Sequence, residues 1–137
     1  MRFMMLVKSA ENSGPPPKEL MDAIAKLGAE TSKTGNMIET GGLAPSAMST
    51  RVRLAQGKIT ALDGPFAETR ELVGGYAIFE FKSKQEAIES TLQFMELHKK
   101  YWPAWEGETE IRQIFTQQDY TCESGSLSLK PDAARGA

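Results

Sequence analysis

The sequence predicts an α+β domain of the ferredoxin-like βαββαβ order, with an extra β-hairpin inserted in its middle. Three observations predict it. Phe3-Met4-Met5-Leu6-Val7 and Tyr76-Ala77-Ile78-Phe79-Glu80-Phe81 are each apolar on both alternating faces, as strands covered on two sides are. Each is followed by a stretch of helical periodicity. Between them, two alternating runs flank Gln56-Gly57, a turn pair of the kind that closes a hairpin. In the βαββαβ order the first and third strands lie in the middle of the sheet. Those are the two strands that lack a polar face here.

Taken in order, Phe3 to Val7 is the first strand. Ser13-Gly14-Pro15-Pro16-Pro17 is a loop, because proline fixes φ and donates no hydrogen bond. Leu20, Met21, Ile24 and Leu27 then recur at helical spacing and predict a helix over residues 17–34, stopped at Gly35-Asn36. Met37 to Leu43 is a short strand. Thr50–Ala55 and Lys58–Leu62 are the hairpin, with Val52 and Leu54 on one face and Arg51 and Arg53 on the other. Ser83 and Glu86 form a capping box for a second helix. Ile88, Leu92, Met95 and Trp102 form one stripe of it, and Pro103 ends or kinks it. Glu108 to Phe115 alternates weakly and reads as an edge strand. Residues 1–115 form the domain, and residues 116–137 read as a polar, mobile tail.

Two helices cover only one face of such a sheet, yet the central strands are apolar on both. The uncovered face predicts a partner, most simply a second copy packed sheet to sheet about a two-fold axis.

Composition narrows the classes of function. The 137 residues make one domain. Sixteen Lys and Arg against eighteen Asp and Glu give a net charge of -2, with no electrostatic reason to expect nucleic acid or an anionic membrane. No apolar run reaches the ~20 residues of a membrane span, and none fits a signal peptide, so a cytoplasmic protein is expected. The single cysteine, Cys122, cannot form an intrachain disulfide and has no histidine near it in sequence. No zinc-like ligand spacing, phosphate-binding glycine motif or GxSxG element occurs, and no metal or organic cofactor is expected.

The polar residues concentrate in Asp63-Gly64-Pro65-Phe66-Ala67-Glu68-Thr69-Arg70-Glu71. Asp63, at a strand end, is the candidate catalytic base or ligand anchor; the alternative is a carboxylate that accepts backbone N–H bonds and builds the turn. Gly64 and Pro65 are geometric. Phe66 either packs in the core or floors a pocket. Glu68, Thr69 and Arg70 are candidate ligand contacts, Arg70 through its planar fork, or else a salt-bridged loop. Arg51 and Arg53 stand on one strand face, for an anionic group or for solvent. His98, the only histidine, lies on the second helix and reads as an ordinary helix residue. Tyr101, Trp102 and Trp105 read as packing rather than as a platform for single-stranded nucleic acid.

This nine-residue stretch resembles the signature of the DGPF group of the YCII-related family, with Arg70 where lysine is usual. Gly74-Gly75-Tyr76, Gly42-Leu43-Ala44-Pro45 and Thr50-Arg51-Val52-Arg53 fit the same pattern, and the resemblance covers about residues 1–115. It implies a ferredoxin-like dimeric α/β barrel with a cleft between sheet and helices. Shorter relatives have a candidate His–Asp pair; here the first helix carries no histidine, so that pair does not transfer. The resemblance also implies a regulatory context, since genes of this group often adjoin those of extracytoplasmic-function sigma factors. Two functions follow: a small-molecule-binding protein, catalytic or purely binding, with its cleft near Asp63; or a non-catalytic dimeric module for regulation or protein interaction.

Overall fold

The computed structural model describes residues 1–34, 36–66, 71–123 and 125–134. The chain runs β1 (Arg2–Ser9), α1 (Lys18–Lys33), β2 (Met37–Gly42), β3 (Thr50–Ala55), β4 (Lys58–Asp63), β5 (Leu72–Glu80), α2 (Lys84–Tyr101), β6 (Gly107–Ile114), β7 (Tyr120–Glu123), β8 (Ser126–Leu129) and α3 (Pro131–Ala134). Four strands form one antiparallel sheet in the order β2-β5-β1-β6. This is the ferredoxin-like arrangement, and its two central strands are the two that are apolar on both faces.

Register decides which side chains meet. Phe3 faces Phe79 and Met5 faces Ala77 across β1 and β5. These odd-numbered residues of β1 point at the helices, where Phe3, Met5, Phe79, Phe81 and Ala87 form the buried cluster. The Phe79 and Phe81 rings stack with centroids 5.3 Å apart, within the range of favourable aromatic pairs. Leu20 of α1 is fully buried.

Helix α2 starts as its capping residues require: the Ser83 hydroxyl oxygen accepts the Glu86 N–H at 3.2 Å. The Glu86 carboxylate reaches back one residue further than a standard capping box, to the Lys82 N–H at 2.9 Å. The buried side of α2 differs from the Ile88–Leu92–Met95–Trp102 stripe. Ala87, Thr91 and His98 are its buried residues, and Leu92 is 58% exposed. Small side chains at Ala87 and Thr91 let the helix sit close to the sheet. The Thr91 hydroxyl is satisfied by the Ala87 carbonyl at 2.8 Å, so its burial is inexpensive.

The β3–β4 hairpin is where the sequence places it. Gln56 and Gly57 both have positive φ, 50° and 75°, as a type I′ turn demands. It forms a separate two-stranded sheet, and every residue in it is exposed except half-buried Arg51. Among the described residues after 115, local structure recurs. Thr116 and Asp119 make a capping box, and β7 and β8 pair around Gly125, whose φ is 79°. The short alternation Tyr120-Thr121-Cys122 against Leu127-Ser128-Leu129 is enough for a ladder, although it buries little apolar surface.

No helix among the described residues is long and apolar enough to cross a membrane.

Candidate functional site

The Asp63 turn is built from three chain segments. Gly64 donates its N–H to the Ser49 carbonyl at 2.8 Å, and Phe66 donates to the Ser46 hydroxyl at 3.3 Å. Ser46 is buried, and its own N–H and hydroxyl both go to the Glu11 carboxylate, the hydroxyl at 2.6 Å. These two bonds, the hydroxyl's first, hold the Glu11 pKa below the usual carboxylate range. Gly64 packs so closely on this segment that a Cβ there would lie 1.7 Å from the Ser46 carbonyl oxygen. The Gly64–Pro65 peptide is cis. Phe66 is buried, with the Arg51 guanidinium 3.8 Å from its ring centroid.

Asp63 stands at the open end of the hairpin, exposed. Its Oδ1 accepts the Thr50 hydroxyl at 2.6 Å across the strand pair. Of the other candidate ligand residues, Arg51 and Phe66 meet at this turn, and Arg53 is exposed further out along β3. Glu68, Thr69 and Arg70 lie outside the described residues.

A cleft opens beyond the motif's far end. Glu71, its ninth residue, lines a cavity of about 510 Å³ together with Ser9, Asn12, Trp102, Glu106 and Glu108. The loop after β1 joins the two features: Asn12 and Ser13 face the cleft while neighbouring Glu11 grips Ser46. A β-bulge opposite Val7–Lys8 brings β5 to this end of the sheet, and the carbonyl of Gly74 there accepts the Leu43 N–H at 3.0 Å. Among the described residues, Lys8 is a nearby cation and is ion-paired with Glu110. Its pKa is raised by that hydrogen bond first; Glu110, Glu108 and Glu71 then add to the rise by their charge, against some desolvation. The Glu110 pKa is lowered by the same pair.

His98 is apart from both features. It is buried, its ring centroid 4.6 Å from those of Phe94 and Trp105. Nδ1 lies 3.1 Å from the Phe94 carbonyl oxygen, which can only accept, so Nδ1 carries the proton. Burial lowers its pKa, and the hydrogen bond to Phe94 opposes that in part. Cys122 is exposed, and no metal-binding group of His, Cys, Asp and Glu occurs among the described residues.

Glu11 and Ser46 were not singled out by sequence. They lie 35 positions apart in unpatterned loops, and neither carries a motif that points to the other. The cleft shares that difficulty, being assembled from three separate loops.

Sheet order, hairpin insertion and the packed turn define the class: a ferredoxin-like α+β domain with a glycine-tight turn beside an acidic cleft. The chain belongs to the YCII-related family, whose domain matches residues 1–94, from β1 into α2. No curated protein matches the sequence significantly.

Proposed function

We propose that this chain is a small-molecule-binding domain of the DGPF group whose ligand enters the acidic cleft beside Glu71. The observation that carries this reading is the position of the motif's last residue in the wall of a cavity of about 510 Å³, within the usual size of ligand sites. Glu71, Glu106 and Glu108 supply negative charge, Asn12 and Ser9 supply hydrogen bonds, and Trp102 supplies an aromatic wall. That lining favours a small cationic molecule, such as an amine, over an anion. The Asp63 turn then serves as a scaffold, packed against Ser46 and Ser49. Asp63 itself is engaged with Thr50 and lines neither large cleft.

The protein acts as a homodimer in this reading. Met4, Leu6, Tyr76 and Ile78 lie on the sheet face away from the helices, and all four are still partly exposed. A second copy packed on that face would complete a dimeric α/β barrel.

The test is calorimetric titration with a panel of small amines and of carboxylic acids, on wild type and Glu71→Gln/Glu108→Gln. Amines are expected to bind wild type and to lose at least tenfold in affinity in the double variant. Binding of carboxylic acids alone, unaffected by the substitutions, would reject the site.

The second reading, a non-catalytic regulatory or protein-interaction module, has one observation in its favour. The β7–β8 hairpin holds Leu127 68% exposed beyond the family-matched segment. Capture of a protein partner that is lost in Leu127→Ser/Leu129→Ser would support it over the first.

A further inference from the structure

At the end of β1 and in the loop after it, Ser9, Ala10, Asn12 and Ser13 line the acidic cleft. Glu11, in their midst, points the other way. Its carboxylate accepts the Ser46 N–H and, at 2.6 Å, the Ser46 hydroxyl. Within the loop, the Ser13 hydroxyl and N–H both go to the Ala10 carbonyl, at 2.8 Å and 3.4 Å, so the turn closes on itself. Among the described residues, the hydrogen bonds that tie residues 10–14 to a distant part of the chain are those of Glu11. Closure is already secured by Ser13, so the outward grip of Glu11 sets position: where Asn12 and Ser13 stand relative to Glu71, Trp102 and Glu108.

Serine at position 46 suits this grip by its chemistry. An ionised carboxylate only accepts, and Ser46 offers it two donors at once, which fixes its orientation as a single bond would not. The Ser46 oxygen keeps a lone pair for the Phe66 N–H at 3.3 Å. The hydroxyl thus donates to Glu11 and accepts from the signature motif, and each of these bonds polarises the other. The far end of the relay is firm. Ser46 is buried, its carbonyl oxygen lies against Gly64 with no room for a Cβ between them, and the Ser49 carbonyl accepts the Gly64 N–H at 2.8 Å.

We propose that Glu11 is a positioning residue of the cleft: through Ser46 it fastens the loop bearing Asn12 and Ser13 to the Asp63 turn, so that the signature motif bears on the ligand site. The route is a chain of contacts, from the Phe66 N–H to the Ser46 hydroxyl, to the Glu11 carboxylate and to its neighbour Asn12. A ligand site gains affinity when its wall is held in place before binding, because less motion is lost when the ligand arrives. The inference rests on the cleft reading above and goes beyond it, because it gives a task in binding to two residues that touch no ligand themselves.

Two measurements on the full chain test it, both at a temperature where circular dichroism shows every variant folded. The first is calorimetric titration with ethanolamine, putrescine and benzylamine. Glu11→Ala and Ser46→Ala are each expected to weaken amine binding at least threefold, although the second removes no charge. Because both act along one route, Ser46→Ala should add no further loss in a Glu11→Ala chain. Losses that simply add, or an unchanged affinity in either single variant, overturn the relay and leave the cleft standing. The second measurement needs no ligand. The heteronuclear NOE of the Asn12 and Ser13 amides should fall in Glu11→Ala to the values of a flexible loop, with those of β1 unchanged. Values that stay at the wild-type level overturn the relay by themselves. Wild type that binds none of the three amines overturns the cleft reading, and the part of Glu11 in binding falls with it.

Discussion

The glycine of the Asp63 turn offers the sharpest test of how this motif works. Gly64 is not among the positive-φ residues, so its backbone conformation does not by itself require glycine. Space does. A Cβ on Gly64 would lie 1.7 Å from the Ser46 carbonyl oxygen and 2.7 Å from the carbonyl carbon. Both are backbone atoms, which cannot swing aside as a side chain would. Even to reach 3.0 Å, the two segments must separate by 1.3 Å. That movement strains or breaks the Gly64 N–H bond to Ser49 and the Phe66 N–H bond to Ser46. Overpacking costs about 1–3 kcal/mol, and the two hydrogen bonds add about 1 kcal/mol each. Gly64→Ala is therefore expected to lose roughly 3–5 kcal/mol, a large share of the ~5–15 kcal/mol of a typical domain. At about 4 °C per kcal/mol for a chain of this length, the melting midpoint falls by some 12–20 °C. Urea and thermal unfolding followed by circular dichroism measure it. Gly42→Ala is the control, since nothing lies within 4 Å of a Cβ there, and it should stay within about 0.5 kcal/mol of wild type. A Gly64→Ala protein within about 1 kcal/mol of wild type would refute the reasoning.

Other expectations follow from the same geometry. Ser46→Ala leaves the Phe66 N–H without its acceptor in a buried setting and should cost about 1–3 kcal/mol in urea unfolding. Phe66→Ala empties the pocket under Arg51 and should cost about 3–5 kcal/mol, with Phe66→Leu recovering most of it. His98 has a folded-state pKa below its ordinary value of about 6.5, so the unfolded chain binds the extra proton first. Its contribution to stability is full above about pH 6.5 and is lost as pH falls from there through the folded pKa. Urea midpoints of wild type should decline over that window, and the His98-dependent part of the slope should vanish in His98→Phe.

How far the fold is legible depends on whether a signal is local. Phe3–Val7 and Tyr76–Phe81 reveal their central positions because apolar side chains on both faces are written into consecutive residues. Gln56-Gly57 and Ser83 act within four residues of their effects, and both stand where expected. The buried side of α2 is harder to read. Hydrophobic periodicity favours Ile88 and Leu92, whereas close approach to the sheet favours small Ala87 and Thr91, and the second demand prevails. The β7–β8 hairpin eludes a reading based on apolar burial because its ladder forms with little of it. At the site, Asp63, Phe66 and Arg51 are close in sequence to the motif that marks them. Glu11, Ser46 and Trp102 are not, and only the folded chain brings them to it.

These distances bear on what a motif is for. Of the first four residues, Asp63 bonds its neighbouring strand, Gly64 and Pro65 fit the chain against Ser46, and Phe66 is buried beneath Arg51. All four spend their chemistry on holding the turn. The last, Glu71, instead faces a cavity beside Glu106 and Glu108. A rigid turn costs little to maintain once folded, and a ligand site needs a firm scaffold more than another carboxylate. Loss of the turn and loss of the cleft should therefore separate in experiment. Gly64→Ala lowers stability first and affinity through it. Glu71→Gln lowers affinity for an amine with the melting midpoint of the unliganded protein nearly unchanged. If both substitutions moved stability alike, Glu71 would belong to the scaffold, and the cleft would lose the one motif residue that ties it to the site.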